Sequence, residues 1–219
     1  IDELMQIFST FRDNTKDIFI TNRSNSLAAG ISRDVKNDFS VDENSTAGFQ
    51  ALNFSQHGFE ISFTVNDVPV KLNTVGKHNM ENALAAIAVA SRVGVSLQTA
   101  AEALAKYEGI YRRHQIIGEK DGVVVVDDYA HNPAKCAASI AACQPVAPKV
   151  IAWFQPHGYK PTRFLRNDFV KEIAAALRPQ DEIWMSEIFY AGGSAVKDIS
   201  AGELIEDIKK LGKNAFFVE

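Results

Sequence analysis

The chain opens with apolar residues at helical spacing. Leu4, Ile7, Phe8 and Phe11 share one face, which predicts a helix over residues 1–11. Residues 17–21 read as a short strand. Residues 22–56 are rich in Ser, Asn, Asp and Gly, with Phe39, Val41 and Phe49 as scattered apolar points, a pattern of short strands among loops. The pattern then turns to alternation. Residues 59–65 and 68–72 flank the turn pair Asn66-Asp67 and predict a β-hairpin, with Pro69 on an edge strand. Two alanine-rich helices follow. One has Asn79 as its expected N-cap and ends before Gly94; the other spans residues 97–107 and is capped by Ser96.

The helical pattern breaks at residues 107–114, which places a domain boundary there and divides the chain into residues 1–107 and 108–219. Beyond it strands and helices alternate. Strands are predicted at 114–117, 123–127, 149–154, 182–186 and 214–218, and helices at 133–143, at 163–177 and after Ser200, which forms a capping box with Glu203. Such alternation predicts an α/β domain with a parallel, doubly wound sheet. The four consecutive valines at 123–126 read as a strand buried on both faces, and Trp153 and Trp184 as core residues on strands.

Composition narrows the class without deciding it. A hydrophobic share of 46% with 23% charged residues is that of a globular domain. The net charge of −4 gives no basic field for nucleic acid or an anionic membrane. No apolar run is long enough to span a bilayer and no stretch reads as a signal peptide, so a cytoplasmic location is expected. Cys136 and Cys143 read as free core thiols, and the histidines lack zinc spacing, so no metal site is expected from these residues. The chain starts at Ile1 already inside a helical pattern, as a piece of a longer protein would.

The chemistry gathers where predicted strands end. In open α/β sheets, ligands lie beyond the carboxyl ends of strands, beside helix N-termini. Asp127, Asp128, Tyr129 and His131 follow one strand, and Asn132-Pro133 opens the next helix. His157, Tyr159, Lys160 and Arg163 follow another, and residues 190–194 follow a third, so that three polar loops would share one sheet edge. Arg112 and Arg113 precede the first of these strands; guanidinium groups bind phosphate or carboxylate in bidentate fashion. His78, Asn79 and Asn82 cluster at a helix start. This set suits anionic substrates and phosphoryl chemistry. Neither Gly-x-x-x-x-Gly-Lys-Ser/Thr nor Gly-x-Gly-x-x-Gly occurs, so neither a P-loop nor a dinucleotide fingerprint lies in the chain.

Four stretches in order, Gly76-Lys77-His78-Asn79 with Asn82 and Ala85-Ala86, Arg112-Arg113, Asp127-Asp128-Tyr129-Ala130-His131-Asn132-Pro133, and Phe154-Gln155-Pro156-His157, resemble the Mur ligase family. They cover roughly the last two thirds of the chain, and the last two are most similar to the branch that adds L-alanine to UDP-N-acetylmuramate. The resemblance implies that residues 1–107 are the latter half of a central P-loop ATPase domain and residues 108–219 a Rossmann-like C-terminal domain. It implies an ATP- and magnesium-dependent ligase of peptidoglycan synthesis that forms an amide through an acyl phosphate. The P-loop and most magnesium ligands would then lie before Ile1, and the fragment alone would be inactive. His78, Asn79 and Asn82 would meet adenine; Arg113 and Asp128 the phosphates; Tyr129, His131, His157, Tyr159 and Arg163 the incoming amino acid, with Arg113, Asp128 and His131 taking part in catalysis. Gly158, Lys160 and Pro161 stand where the family usually has Arg, Thr and Arg. The amine donor is therefore L-alanine, another amino acid or a peptide, as in a murein-peptide recycling ligase; a Mur-like nucleotide-binding module without ligase activity is the remaining alternative.

Overall fold

The computed structural model describes residues 1–190, 192, 194 and 196–219. It forms two compact units, Ile1–Gly109 and Ile110–Glu219.

The first unit begins with α1 (Asp2–Asn14), which contains no buried residue. Its apolar stripe of Leu4, Ile7, Phe8 and Phe11 is between 47% and 61% exposed. Residues 17–21 form no ladder, contrary to the strand expected there. Thr21 O accepts from Phe39 N, and Asn22 makes one parallel bridge to Phe39. The partner strand is two residues long, too short to extend the pairing.

After α2 (Ser26–Ala29) come β1 (Phe39–Ser40), β2 (Phe49–His57), β3 (Glu60–Val65) and β4 (Val68–Leu72), in spatial order β1-β2-β3-β4. The predicted hairpin is present. Asn66 and Asp67 both have positive φ (47° and 68°), as a type I′ turn requires, and Pro69 lies on the edge strand β4. One face of β3 and β4 (Ile61, Phe63, Val65, Val70, Leu72) packs on Met80, Ala83, Leu84 and Ile87 of α3 (Lys77–Arg92), and Ala100 and Ala101 of α4 (Leu97–Leu104) join the same core.

In the second unit β5 (Gln115–Lys120) and β6 (Val123–Asp127) form an antiparallel pair closed by Asp121-Gly122, both at positive φ. Contrary to the expectation for the valine run, β6 is not buried on both faces. Val123, Val124 and Val125 are 64%, 36% and 54% exposed. β-Branching sets the preference for an extended backbone, not for burial. The adjacent Asp-Gly turn gives β6 its ladder partner locally, outside the three-stranded sheet.

The chain continues through α5 (Pro133–Cys143), a 3-10 turn at Gln144–Val146, β7 (Ile151–Phe154), α6 (Tyr159–Phe164), α7 (Arg166–Ala176), β8 (Glu182–Ser186), α8 (Ala201–Lys210) and β9 (Asn214–Val218). The single helix expected at 163–177 is two helices meeting at Leu165. β7, β8 and β9 are parallel and adjacent in that order. α5 packs on α7, α7 on α8, and α8 on β8 and β9. Ile183, Met185 and Ala215 of the sheet meet Phe169, Ile173, Leu204, Ile205 and Ile208 of the helices in one buried core. The opposite sheet face differs from expectation. Trp153 is 71% exposed, and Trp184, half-buried, stacks on Phe216 with ring centroids 4.6 Å apart. The polar loops after β7 and β8 share one sheet edge, whereas the loop after β6 belongs to the separate hairpin.

A fully buried carboxylate ties this unit together. Asp181 accepts from the amides of Val150 and Arg178 (2.9 and 3.1 Å), from Gln144 Nε2 (2.9 Å) and from the Arg178 guanidinium at 2.9 Å. It thereby joins the 3-10 turn, the entry to β7 and the end of α7. Burial alone pushes this carboxyl up, but these donors outweigh it and hold it at about 2. A carboxyl depressed in the folded state contributes stability that is complete above its unfolded value, near 3.8, and lost as pH falls from there towards about 2. Asp181→Asn is expected to lower the stability of the second unit by about 2–3 kcal/mol at pH 7 and to flatten its loss of stability between pH 4 and pH 2. Urea unfolding followed by tryptophan fluorescence checks both, because both tryptophans, Trp153 and Trp184, lie in this unit.

Candidate functional site

In the second unit the arginine pair and the acidic strand end come together. Residues 110–114 form a tight turn, with Arg113 N donating to Ile110 O (3.0 Å). The turn is joined to the residues after β6 by Tyr129 N donating to Arg112 O (2.9 Å). Arg112 and His114, on either side of Arg113, have φ of 57° and 47°. Non-glycine residues there cost on the order of 1 kcal/mol each, and such strain gathers at functional sites.

The side chains of this turn divide into an exposed and a buried set. On the exposed side, the Arg112 and Arg113 guanidinium carbons lie 5.1 and 5.8 Å from the Tyr129 ring centroid. His131 lies 5.5 Å from the same ring and shares its Nδ1 with Tyr129 O at 3.0 Å. Arg112 pairs with Asp127 at 3.2 Å. Arg113 has no carboxylate partner among the described residues. An exposed aromatic ring flanked by an unneutralised guanidinium is a surface for a planar or phosphorylated anion.

On the buried side, Asp128 Oδ2 accepts from His114 N (3.0 Å) and lies 2.9 Å from His114 Nδ1. Burial pushes the Asp128 carboxyl up, but the bonds and charge of His114 and the amides of His114 and Ala130 bring it below its ordinary range. Cys136, buried nearby on α5, has its thiol pushed up to about 12, by burial first and by the Asp128 charge second, which makes it inert as a nucleophile. Asn132 Oδ1 accepts from Lys135 N at 2.9 Å, the expected cap of α5, with Pro133 at its first position.

A second cluster lies at the carboxyl edge of the parallel sheet. His157 is exposed and stacks on Phe189 with centroids 5.0 Å apart. Gly158 caps α6 with φ of 80°, and a side chain there would also meet Pro161 at 3.4 Å. Arg163 is paired with Asp198. Tyr159, expected as a loop side chain facing a ligand, is a core residue at 7% exposure. Its ring lies 6.4 Å from that of Tyr190, with Lys197 over both. In the loop after β8, Ala191 and Gly193 lie outside the described residues.

In the first unit the start of α3 also differs from expectation. The helix begins at Lys77 with Gly76 as its N-cap (φ 88°), so Asn79 is not the cap. Glycine supplies the positive φ, and Asn79 instead donates its amide to Thr74 Oγ1 and Val75 O (2.9 and 2.8 Å), fastening the incoming loop. Asn82 is exposed and His78 half-buried at the same helix start.

Sequence reasoning missed His114 and Lys197. A histidine directly after two arginines was the available signal for the first. Lys197 gave none, because its contact with the two tyrosines depends on how distant segments pack.

The chain matches two consecutive family models, the Mur ligase middle domain over residues 1–90 and the Mur ligase glutamate ligase domain over residues 112–219. The UDP-N-acetylmuramate–L-alanine ligase of Acidithiobacillus ferrooxidans is 40% identical over 156 residues, covering 70% of this chain and 33% of that protein. The ligase of the same name from Solidesulfovibrio magneticus is 42% identical over 146 residues, covering 66% of this chain and 31% of the relative. The chain thus spans about a third of the length of these curated relatives. Among solved structures, the UDP-N-acetylmuramate-alanine ligase MurC of Thermotoga maritima superposes with a TM-score of 0.74 at 29% identity, over 98% of this chain and 46% of that one. MurF of Acinetobacter baumannii shares the fold, with a TM-score of 0.68 at 22% identity over 91% of this chain and 42% of that one. The two family models together span nearly the whole chain, and the chain belongs to the Mur ligase family.

Proposed function

We propose that the protein containing this chain is an ATP-dependent ligase of peptidoglycan precursor synthesis, acting in the cytoplasm, that joins L-alanine to the carboxyl group of UDP-N-acetylmuramate. The observation that carries the reading is the exposed Arg113 beside Tyr129, with Asp128 anchoring its turn. The names borne by the relatives at 40% and 42% identity support it.

A carboxylate does not accept an amine directly, because the oxygen that must leave is a poor leaving group. Transfer of the γ-phosphoryl group of ATP to that oxygen gives an acyl phosphate. The amine then attacks the carbonyl carbon, the C–N bond forms, the C–O bond to phosphate breaks and the amine loses a proton. ADP, phosphate and the amide are the products. The chain's own residues serve the charge and proton requirements of this sequence. Arg113, with Arg112 beside it, neutralises phosphate oxygens as charge accumulates on them. Asp128 holds their turn. His131 keeps one nitrogen on Tyr129 O and offers the other to the proton released by the attacking amine. His157 and Arg163 receive the carboxylate of the amino acid. His78 and Asn82 present polar groups to adenine, with Asn79 fixing the loop before them. The reaction uses magnesium with ATP. Among the described residues no three His, Cys, Asp or Glu side chains gather as a metal site, so no ligand role is assigned here.

In the full-length protein, phosphate release from ATP is expected to require both UDP-N-acetylmuramate and L-alanine when a panel of amino acids and a murein tripeptide is supplied. Release that ignores every amine would end the ligase reading, and dependence on the tripeptide alone would reassign the donor. Arg113→Ala is expected to lower kcat/KM for ATP by about 10–100-fold, or roughly 1.5–3 kcal/mol, with the KM for L-alanine nearly unchanged. Arg163→Ala is expected to do the opposite, raising the KM for L-alanine about tenfold and sparing that for ATP. Steady-state kinetics varying each substrate separates the two, and a reversed pattern contradicts the assignment.

A further inference from the structure

The two left-handed residues around Arg113 need something to hold them. We infer that His114 is the positioning residue of the arginine turn: by binding Asp128 with both its amide and its ring, it fixes Arg113 where it meets an anionic ligand. The inference rests on the reading above for what Arg113 meets, and on geometry alone for how the turn is held.

A single carboxylate oxygen receives two bonds from one residue. His114 N and Nδ1 lie 3.0 and 2.9 Å from Asp128 Oδ2. Together they fix the backbone and the side chain of His114, and with them its left-handed φ of 47° directly after Arg113. The far side of the ring is held as well, with His114 Nε2 3.3 Å from Ser139 Oγ on α5. A ring nitrogen against a carboxylate carries the proton, so Nδ1 donates to Asp128 and Nε2 is left to face the Ser139 hydroxyl. The His114 side chain is 5% exposed and that of Asp128 15%, so water competes little for these bonds. On the other flank, Arg112 N donates to Gln115 Oε1 at 3.1 Å and Arg112 O accepts from Tyr129 N at 2.9 Å. The strained turn is therefore fastened on both sides of Arg113, and on the His114 side the fastening is this histidine.

Asp128, His114 and Ser139 stand in the order of a nucleophilic triad, but the surroundings argue against that chemistry. Ser139 is the seventh residue of α5, half-buried, where backbone amides are taken up within the helix and cannot form an oxyanion hole. The end of the relay that meets solvent is the arginine turn.

Three variants test the assignment. His114→Ala removes the ring. His114→Gly removes it while freeing φ. His114→Asn keeps an amide donor near the Nδ1 position and tolerates a left-handed backbone. Hydrogen exchange of the Arg113 and Tyr129 amides is expected to quicken about tenfold or more in the Ala and Gly variants and to stay within about threefold of wild type in the Asn variant. In the full-length enzyme the KM for ATP is expected to rise about tenfold in Ala and Gly, with rescue in Asn and the KM for the amine donor within about twofold. Unchanged exchange in Ala and Gly, or equal damage in all three, overturns the positioning role. Faster exchange with an unaltered KM for ATP leaves His114 as the holder of the turn and overturns the nucleotide reading instead. If the Ala and Gly variants fail to fold, proton NMR of the wild type decides: a slowly exchanging His114 Nδ1–H resonance, lost in Asp128→Asn, supports the role, and its absence from the wild type overturns it.

Discussion

The carboxylate of Asp128 is the constraint on which the site depends. One of its oxygens holds a residue whose backbone would otherwise leave the left-handed region, and that residue orients the neighbouring guanidinium. A rigid cation is worth more to a phosphate than a mobile one, because the entropy of ordering a long side chain is already lost before the ligand arrives. Asp128 is thus a structural anchor before it is a ligand group: one oxygen is fully engaged inside the protein. Asp181 plays the comparable part for the parallel sheet, where a buried carboxylate with donors from three directions takes the place of apolar packing at the mouth of β7.

Local signals were legible wherever the physics is local. The Asn66-Asp67 turn, the Asn132-Pro133 start of α5 and the Ser200–Glu203 capping box all lie where the sequence puts them, because each depends on neighbours within a few residues. What was not legible depended on partners. The valine run of β6 has a strand's composition, but its burial is decided by which strand it pairs with. Asn79 looked like a cap because caps and loop fasteners use the same side chain; the positive φ of Gly76 decided between them. Trp153 has the size and apolarity of a core residue on a strand, but the register of β7 turns it to the uncovered face of the sheet.

The site was legible in part for the same reason. The sequence names Arg113, Asp128, Tyr129 and His131, and the structure brings them around one turn. It also places Tyr159 in the core and draws in His114, whose role follows from a contact spanning fourteen residues. A residue that acts through another leaves little trace in a linear motif, since its partner is defined only once the chain has folded.

The most direct test of the central claim is a crystal structure of the full-length protein with a non-hydrolysable ATP analogue. The account predicts a phosphate oxygen within hydrogen-bonding distance of the Arg113 guanidinium, with the His114–Asp128 pair intact behind it. Bound nucleotide with Arg113 directed away from its phosphates, or with Asp128 released from His114, would contradict it.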